Sequence, residues 1–339
     1  MKKIDVFNHF FPARYFEKMM EVAGTYADMG KRVRNIPCLI DLDLRFKIMD
    51  EFGEDYVQLP SIANPPPDVM AEPAVAAELA RIGNDGLAEL AEKHPDRFPS
   101  FVATVALSNP DEAVKEAERS VKELKAAGVQ IFSNVAGKPI DRPEFEPFFA
   151  KMEELERAVW IHPARGANFP DYVDEPKSKY EIWWTFGWPY ETSAAMARLV
   201  FSGILDRYPK LDLVIHHLGA MVPYFECRVG PGWDQLGART SDEDLTVLLK
   251  ELNKRPLDYF KEMHADSAVF GSASATRCGL DFYGADKVLF ASDSPFDPEK
   301  GPGYIRETIK IIDGLDISDD DRRKIYVGNI ERLTRQRFE

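Results

Sequence analysis

The chain has 339 residues, of which 45% are hydrophobic, and carries a formal net charge of −14 with a pI near 5.0. This acidic balance argues against nucleic acid as a partner, because phosphate binding needs a basic face. No apolar run approaches the ~18 residues of a membrane span, and the N-terminal residues lack the apolar stretch of a signal peptide. We therefore expect a cytoplasmic protein without a membrane partner, with Cys38, Cys227 and Cys278 as reduced thiols.

The first predicted strand lies almost at the N-terminus and stops at Pro12. Its residues alternate between apolar and polar types from Ile4 to His9, which is typical of a strand. Since residues two apart share a face of a strand, Asp5, Phe7 and His9 are predicted to point the same way. The C-terminal end of this strand is therefore expected to deliver His9 into a site.

After this strand, residues 13–40 are predicted to be irregular, and the rest of the chain alternates between strands and helices. Further strands are predicted over residues 56–59, 98–107, 129–132, 158–162, 211–217, 259–265 and 287–292. Helices are predicted over residues 41–51, 73–93, 145–155, 191–205, 245–252 and 272–282 and from residue 110, with Asn109 and Ser318 as N-caps. The long loop 164–189 is rich in aromatic residues, among them Trp183, Trp184 and Trp188.

Eight short apolar strands alternating with helices predict an α/β fold, a single (β/α)8 barrel over residues 1–339 with a small insertion after the first strand. Reactive groups of such barrels lie at the C-terminal ends of the strands. An open doubly wound sheet is the alternative. That fold needs a glycine-rich phosphate turn after the first strand, and Asn-His-Phe-Phe-Pro is not one.

The histidines are concentrated at the predicted strand ends. Five of the six lie there, together with one aspartate that follows the last strand: His9, His162, His216, His217, His264 and Asp293. Convergence of such side chains on one barrel face is what a divalent metal or a proton-transfer site needs. If His217 faces the interior, strand alternation predicts that its neighbour His216 faces away.

Several segments resemble the amidohydrolase-2 branch of the amidohydrolase superfamily, which includes aminocarboxymuconate semialdehyde decarboxylase and γ-resorcylate decarboxylase. The resemblance rests on segments 128–134, 187–192, 198–209, 217–223, 291–296 and 328–333, which occur in the family's order. It implies a distorted (β/α)8 barrel. It also implies metal ligation by His9, His162 and Asp293 and a catalytic histidine at His217, with a homodimer as the expected assembly.

The chain departs from the family at Phe7, where the family has a metal ligand, usually His and in some decarboxylases Glu. A phenyl ring has no electron pair for a metal, yet two histidines, one carboxylate and water suffice for a catalytic site. Zinc is favoured over manganese because the set is rich in imidazole. The alternative is that Phe7 fills the metal's space and the barrel mouth is apolar.

The leading hypothesis is a metal-dependent non-oxidative decarboxylase of a small carboxylated aromatic or ring-cleavage metabolite. His217 would act as general acid/base, and Asp293 would relay the proton to carbon. Arg165 is a candidate for binding a substrate carboxylate, since its guanidinium can bind one through two hydrogen bonds. His264 is a second candidate contact for substrate. It shares a face of the predicted seventh strand with Asp266, so one of the two is predicted to support a metal ligand. The alternatives are a metal-dependent hydrolase or hydratase on the same scaffold, and a non-catalytic barrel that binds a ligand or a partner protein.

Overall fold

A computed structural model describes residues 1–22, 31 and 33–338. Among the described residues, eight barrel strands have the bounds β1 Lys3–His9, β2 Tyr56–Ser61, β3 Val102–Thr104, β4 Gly128–Phe132, β5 Val159–His162, β6 Leu213–Ile215, β7 His264–Asp266 and β8 Val288–Leu289, and a separate antiparallel pair joins Asn134–Val135 to Lys138–Pro139. All the pairings among the eight barrel strands are parallel. Their residues are almost all buried, as expected for strands that are covered on both faces.

The strands follow the order of a barrel. β1 pairs with β2, and β3 to β8 form a six-stranded sheet in chain order. Backbone hydrogen bonds join the two sheets at both edges: Gln58 donates to the Arg97 carbonyl just before β3, and Val6 donates to the Phe290 carbonyl just after β8. The predicted (β/α)8 barrel is confirmed.

Helices cover the outside of the strands. They run over Ala13–Val22, Leu42–Asp50, Pro67–Met70, Pro73–Lys93, Pro110–Lys122, Glu146–Glu154, Ile182–Thr185, Gly187–Phe201, Ile204–Arg207, Glu226–Trp233, Thr246–Glu251, Pro256–Glu262, Ala273–Tyr283, Pro302–Asp313, Asp319–Arg323 and Asn329–Thr334. Among the described residues, no helix combines the length and the apolar character that a membrane crossing requires.

Two predicted elements were wrong. The segment after β1 was expected to be irregular, but it begins with the helix Ala13–Val22, which buries Tyr15 and Met19 four residues apart on one face. The remainder of this predicted insertion lies partly outside the described residues, at 23–30 and 32. The predicted strand 259–265 is mostly helix, because Pro256 fixes a helical φ at the first position of Pro256–Glu262.

The two predicted N-caps have different outcomes. Ser318 caps its helix as predicted, because its side chain accepts a hydrogen bond from the Asp321 backbone N–H. Asn109 occupies the N-cap position of Pro110–Lys122, but its side chain makes no capping hydrogen bond. In that helix the start is instead defined by Pro110 at the first helical position.

A buried arginine fixes the C-terminal end of β1. Arg45, on the helix Leu42–Asp50, donates to the His9 carbonyl oxygen at 2.8 Å, to Asn8 Oδ1 at 2.6 Å and to Gln58 Oε1 at 2.8 Å. The pairing register of β1 with β2 also shifts between Asp5 and Asn8. Asp5 accordingly bonds to side chains outside the histidine group, whereas His9 reaches the centre of the barrel mouth.

Candidate metal centre and active site

Four buried side chains converge at the C-terminal end of the barrel. One ligand atom from each of His9, His162, His216 and Asp293 lies within 4.8 Å of the other three. His9 ends β1, His162 ends β5, His216 follows β6 and Asp293 follows β8. The barrel thus brings together residues that are far apart in the chain, and three imidazoles with one carboxylate form a donor set suited to a divalent metal.

Hydrogen bonds at Nδ1 orient His9 and His162. The Ser61 hydroxyl donates to the Asn8 carbonyl, so its oxygen accepts from His9 Nδ1 at 3.0 Å. The Pro163 carbonyl oxygen lies 2.7 Å from His162 Nδ1 and can only accept. His9 therefore carries the proton on Nδ1, and His162 can donate its own Nδ1 proton to Pro163. Each ring then keeps a lone pair on Nε2, the arrangement that a metal-binding histidine requires.

His216 is oriented in the same way by a carboxylate. Its Nδ1 donates to Asp266 Oδ2 at 2.6 Å, and its Nε2 lies 3.5 Å from Asp293 Oδ1. Asp266, at the end of β7, was one of two residues predicted to support a ligand, but His216 was not recognised as its partner. Its position two residues after His264 on a predicted strand was the available signal.

The predicted orientation of His216 was wrong. Strand alternation does not apply, because β6 ends at Ile215 and the next residues leave the extended conformation. His217 and Leu218 have positive φ values of 56° and 54°, which is uncommon for residues other than glycine. As a result both neighbouring imidazoles face the interior, with ring centroids 3.7 Å apart.

The charge state of the cluster suits a cation. Burial lowers the pKa of His9 and, strongly, that of His162, so both rings are neutral donors at neutral pH. Burial alone would raise the pKa of Asp293, but the facing His216, His217 and His9 outweigh it and hold this pKa well below its ordinary value. Burial also opposes protonation of His216, yet the carboxylates of Asp266 and Asp293 raise its pKa to about 9.

Two observations test whether these residues fit a metal. His9 Nε2 and Asp293 Oδ1 are 3.1 Å apart, and with the His9 proton on Nδ1 both atoms are acceptors that need a positive group between them. Among the described residues, His216 Nε2 and His217 Nε2 are buried without a hydrogen bond. The cluster therefore fits a divalent cation, which would replace the proton that His216 otherwise holds.

His217 lies beside this cluster rather than within it. Its Nε2 is 3.7 Å from Asp293 Oδ2, and its ring centroid is 5.2 Å from that of Phe270. Burial lowers the pKa of His217, with a further contribution from the neighbouring His216. The structure thus places the predicted acid/base histidine beside the predicted aspartate, at a distance longer than a hydrogen bond.

The mouth above the cluster is aromatic. A small cavity of about 20 Å³ is lined by Asn64, His162, Trp184, Trp188, Phe270, Asp293, Phe296 and Tyr304. A larger cleft of about 320 Å³ adjoins it and shares Asn64 and Trp188. The inner cavity has room for about one water, so an aromatic ring can reach the cluster only if these side chains shift.

Arg165 lines the larger cleft and not the inner cavity. Its Nη1 lies 3.3 Å from Glu191 Oε2, and its guanidinium lies over the Phe169 ring at 5.1 Å. Trp188 Nε1 donates to the Arg165 carbonyl at 3.0 Å, which links this residue to the wall between the two spaces. Arg165 is therefore adjacent to the site, and Glu191 partly neutralises its charge.

The structure does not bring His264 to the site. It is the first residue of β7 and lies at the opposite end of the barrel, where its Nδ1 is 3.6 Å from Asp212 Oδ1. Burial, with the nearby Lys287 and Arg332, lowers the pKa of His264 to about 3. The predicted strand 259–265 puts His264 near its C-terminal end, whereas β7 begins at His264, and this difference put His264 at the wrong end.

Asn64 is a site residue that the sequence did not reveal. Its amide nitrogen lies 3.0 Å from His162 Nδ1 and donates to the Pro163 carbonyl at 3.1 Å. It also lines both cavities. The only sequence feature that could have indicated a role for Asn64 was its place as a polar residue in the proline-rich loop after β2.

The fold and the cluster together define a (β/α)8 barrel with a metal-type donor set at its C-terminal end. The chain matches the Amidohydrolase family over residues 4–335, and it belongs to this family.

Curated and solved relatives lie in one branch of the family. The chain is 30% identical to a γ-resorcylate decarboxylase of a Polaromonas species over 94% of both chains. It superposes with a TM-score of 0.77 and 26% identity on a dihydroxybenzoic acid decarboxylase of that genus, solved with manganese and 2-nitroresorcinol, covering 98% and 97% of the two chains. It also superposes, with a TM-score of 0.82 and 25% identity over 99% and 97%, on a mutant 5-carboxyvanillate decarboxylase of Novosphingobium aromaticivorans with manganese and 3-methoxy-4-hydroxy-5-nitrobenzoic acid.

Proposed function

We propose that this protein is a metal-dependent non-oxidative decarboxylase of a small carboxylated aromatic compound. The observation that carries the proposal is the buried donor set of His9, His162 and Asp293 directly beneath an aromatic cavity. The relatives support it, because those with named activities are decarboxylases that act on γ-resorcylate, 5-carboxyvanillate and similar acids. This favours a carbon–carbon lyase over a hydrolase, a hydratase or a non-catalytic barrel.

His9, His162 and Asp293 would hold the metal through two Nε2 atoms and a carboxylate oxygen. When bound, a divalent ion supplies Lewis-acid charge for a substrate carboxylate or an adjacent oxygen. Two solved relatives contain manganese, so a divalent metal is supported, whereas zinc stays a prediction from the imidazole-rich donor set.

The reaction replaces the bond between a ring carbon and the carboxylate with a bond between that carbon and hydrogen. A proton adds to the carbon that bears the carboxylate, and the carbon–carbon bond then breaks and leaves carbon dioxide. His217 and Asp293 would supply the proton, and His217 Nε2 and Asp293 Oδ2, which lie 3.7 Å apart, would have to approach to hydrogen-bond distance. In this proposal His217 holds the proton as general acid/base and Asp293 passes it to the ring carbon.

The aromatic side chains would position the ring and exclude water. Trp188 contacts the ring of His162, with centroids 5.9 Å apart, and lines both cavities. Arg165 would bind a second polar group of the substrate from the larger cleft. For that purpose it would have to exchange its ion pair with Glu191 for a contact with that group.

The test is product analysis with metal-loaded and chelated protein on a panel of hydroxylated benzoic acids. The proposal predicts carbon dioxide release that requires the metal and falls by about two orders of magnitude or more in His217→Asn. His94→Gln is the control, because His94 follows the helix Pro73–Lys93 as its C-cap and packs against Phe46, outside the histidine cluster and both cavities. A product that has gained water would instead establish the hydrolase or hydratase alternative.

Cytoplasmic localisation, a homodimer and a single domain over residues 1–339 remain predictions. Cell fractionation, light scattering and limited proteolysis test them in that order.

A further inference from the structure

Phe7 occupies the place from which a first-strand ligand would reach the metal. Its side chain is fully buried. Its ring centroid lies 5.2 Å from that of His9, 5.7 Å from that of His162 and 4.5 Å from that of His216. The phenyl ring therefore packs edge-on against three imidazoles, and it has no lone pair with which to bind a proton or a cation.

His216 approaches the same space from the opposite side. Its ring is nearly perpendicular to that of Phe7, at 82°, and its Nε2 lies 3.5 Å from Asp293 Oδ1. Because Nδ1 carries the proton donated to Asp266, Nε2 is the nitrogen left to bind a metal, and it faces Asp293. A carboxylate behind a histidine is the usual support of a metal-bound imidazole.

The backbone after β6 is held in a conformation that makes this approach possible. His217 and Leu218 have left-handed backbone angles, which residues other than glycine keep only where surrounding contacts impose them. Asp266 supplies such contacts, because its Oδ1 accepts from the backbone N–H groups of His217 and Ala268. One carboxylate thus holds the turn and orients His216 at once.

We propose that His216 is the fourth protein ligand of the metal and replaces the donor that Phe7 lacks. This inference rests on the proposed function, since it concerns the same metal. The ligand has moved from β1 to the end of β6, and Phe7 fills the space it left. His217 remains outside the donor set and keeps its Nε2 for proton transfer.

The decisive experiment measures metal affinity, not turnover. Zinc and manganese dissociation constants are determined by chelator competition for the wild type, His216→Gln, Phe7→His and the double variant Phe7→His/His216→Gln, with His94→Gln as control. We expect a loss of at least about tenfold in His216→Gln, since even the supporting partners of ligands contribute about 10–100-fold. The double variant should recover affinity to within about tenfold of the wild type, because its new imidazole starts from the position that Phe7 occupies.

The outcomes separate this inference from the proposed function. Equal affinities of His216→Gln and the wild type would overturn the role of His216 and leave the metal at the other three ligands. A wild type that binds neither metal would overturn the proposed function, and the inference with it. Should His216→Gln fail to fold, X-ray absorption on the zinc-loaded wild type decides: three imidazole ligands support the inference, and two contradict it.

Discussion

Replacing the buried Arg45 should weaken both the barrel and its metal centre. Arg45 is 1% exposed and donates to three acceptors on β1 and β2, at 2.6–2.8 Å. In Arg45→Met, the His9 carbonyl, Asn8 Oδ1 and Gln58 Oε1 lose this donor while they stay buried. An unsatisfied buried acceptor costs about 1–3 kcal/mol.

The removal of a buried guanidinium also recovers the cost of its desolvation, which is the reason that burial lowers the pKa of Arg45. We therefore expect the free energy of unfolding to fall by about 3–5 kcal/mol, which is the lower part of the summed cost of three unsatisfied acceptors. For 339 residues, an unfolding entropy of about 2.1 cal/mol/K per residue converts this loss to a Tm lower by about 4–7 °C.

The assay is thermal and urea unfolding of Arg45→Met beside Arg14→Met, a matched control whose side chain is 82% exposed and lies 3.7 Å from Glu89. The control should change stability by less than about 0.5 kcal/mol. Since Arg45 also holds the His9 carbonyl, metal affinity should fall in the same variant. A variant Arg45→Met within 1 kcal/mol of the wild type, with full metal affinity, would refute the reasoning.

Three further predictions concern the mouth and the cleft. Burial raises the pKa of Asp68 from 3.8 to about 6. Between these pH values the folded chain holds a proton on Asp68 that the unfolded chain releases, and the stabilisation that this gives is lost as the pH rises through 6. The free energy of unfolding is therefore measured for the wild type and Asp68→Asn at pH 4.5 and 7.5. Relative to the wild type, the variant should be about 2 kcal/mol more stable at pH 7.5 than at pH 4.5. A difference independent of pH would contradict the assignment. Trp188→Ala should join the two cavities and lower KM for larger aromatic acids, which a substrate series measures; an unchanged size preference would show that Trp188 does not limit entry. Arg165→Met should raise KM more than it lowers kcat for acids with a second polar group, and equal effects on acids that lack this group would exclude the assigned contact.

The barrel and most of the donor set could be predicted because they depend on local pattern. Short apolar strands that alternate with amphipathic helices indicate the barrel, and the strand ends then place His9, His162 and Asp293 on one face. Such reasoning needs only the position of a residue relative to the end of its strand. It fails where the start of the strand is wrong, as it was for β7, which begins at His264 and not at residue 259.

The fourth histidine and the supporting groups could not be predicted in this way. His216 faces the interior because left-handed backbone angles follow it, and alternation along a strand cannot reveal such angles. Asp266, Asn64 and Arg45 act through hydrogen bonds between elements far apart in the chain. Apart from the strand position of Asp266, which indicated a supporting role, their contacts depend on packing that no local pattern records.

The most direct test of the proposed activity uses γ-resorcylate labelled with ¹³C in its carboxylate and metal-loaded protein in D₂O. The account predicts labelled carbon dioxide and resorcinol in equal amounts, with one deuterium on the carbon that lost the carboxylate, and no product after chelation. If γ-resorcylate and related hydroxybenzoic acids are all left intact, the account of this site as a decarboxylase is contradicted. A product that retains the label and has gained water contradicts it as well.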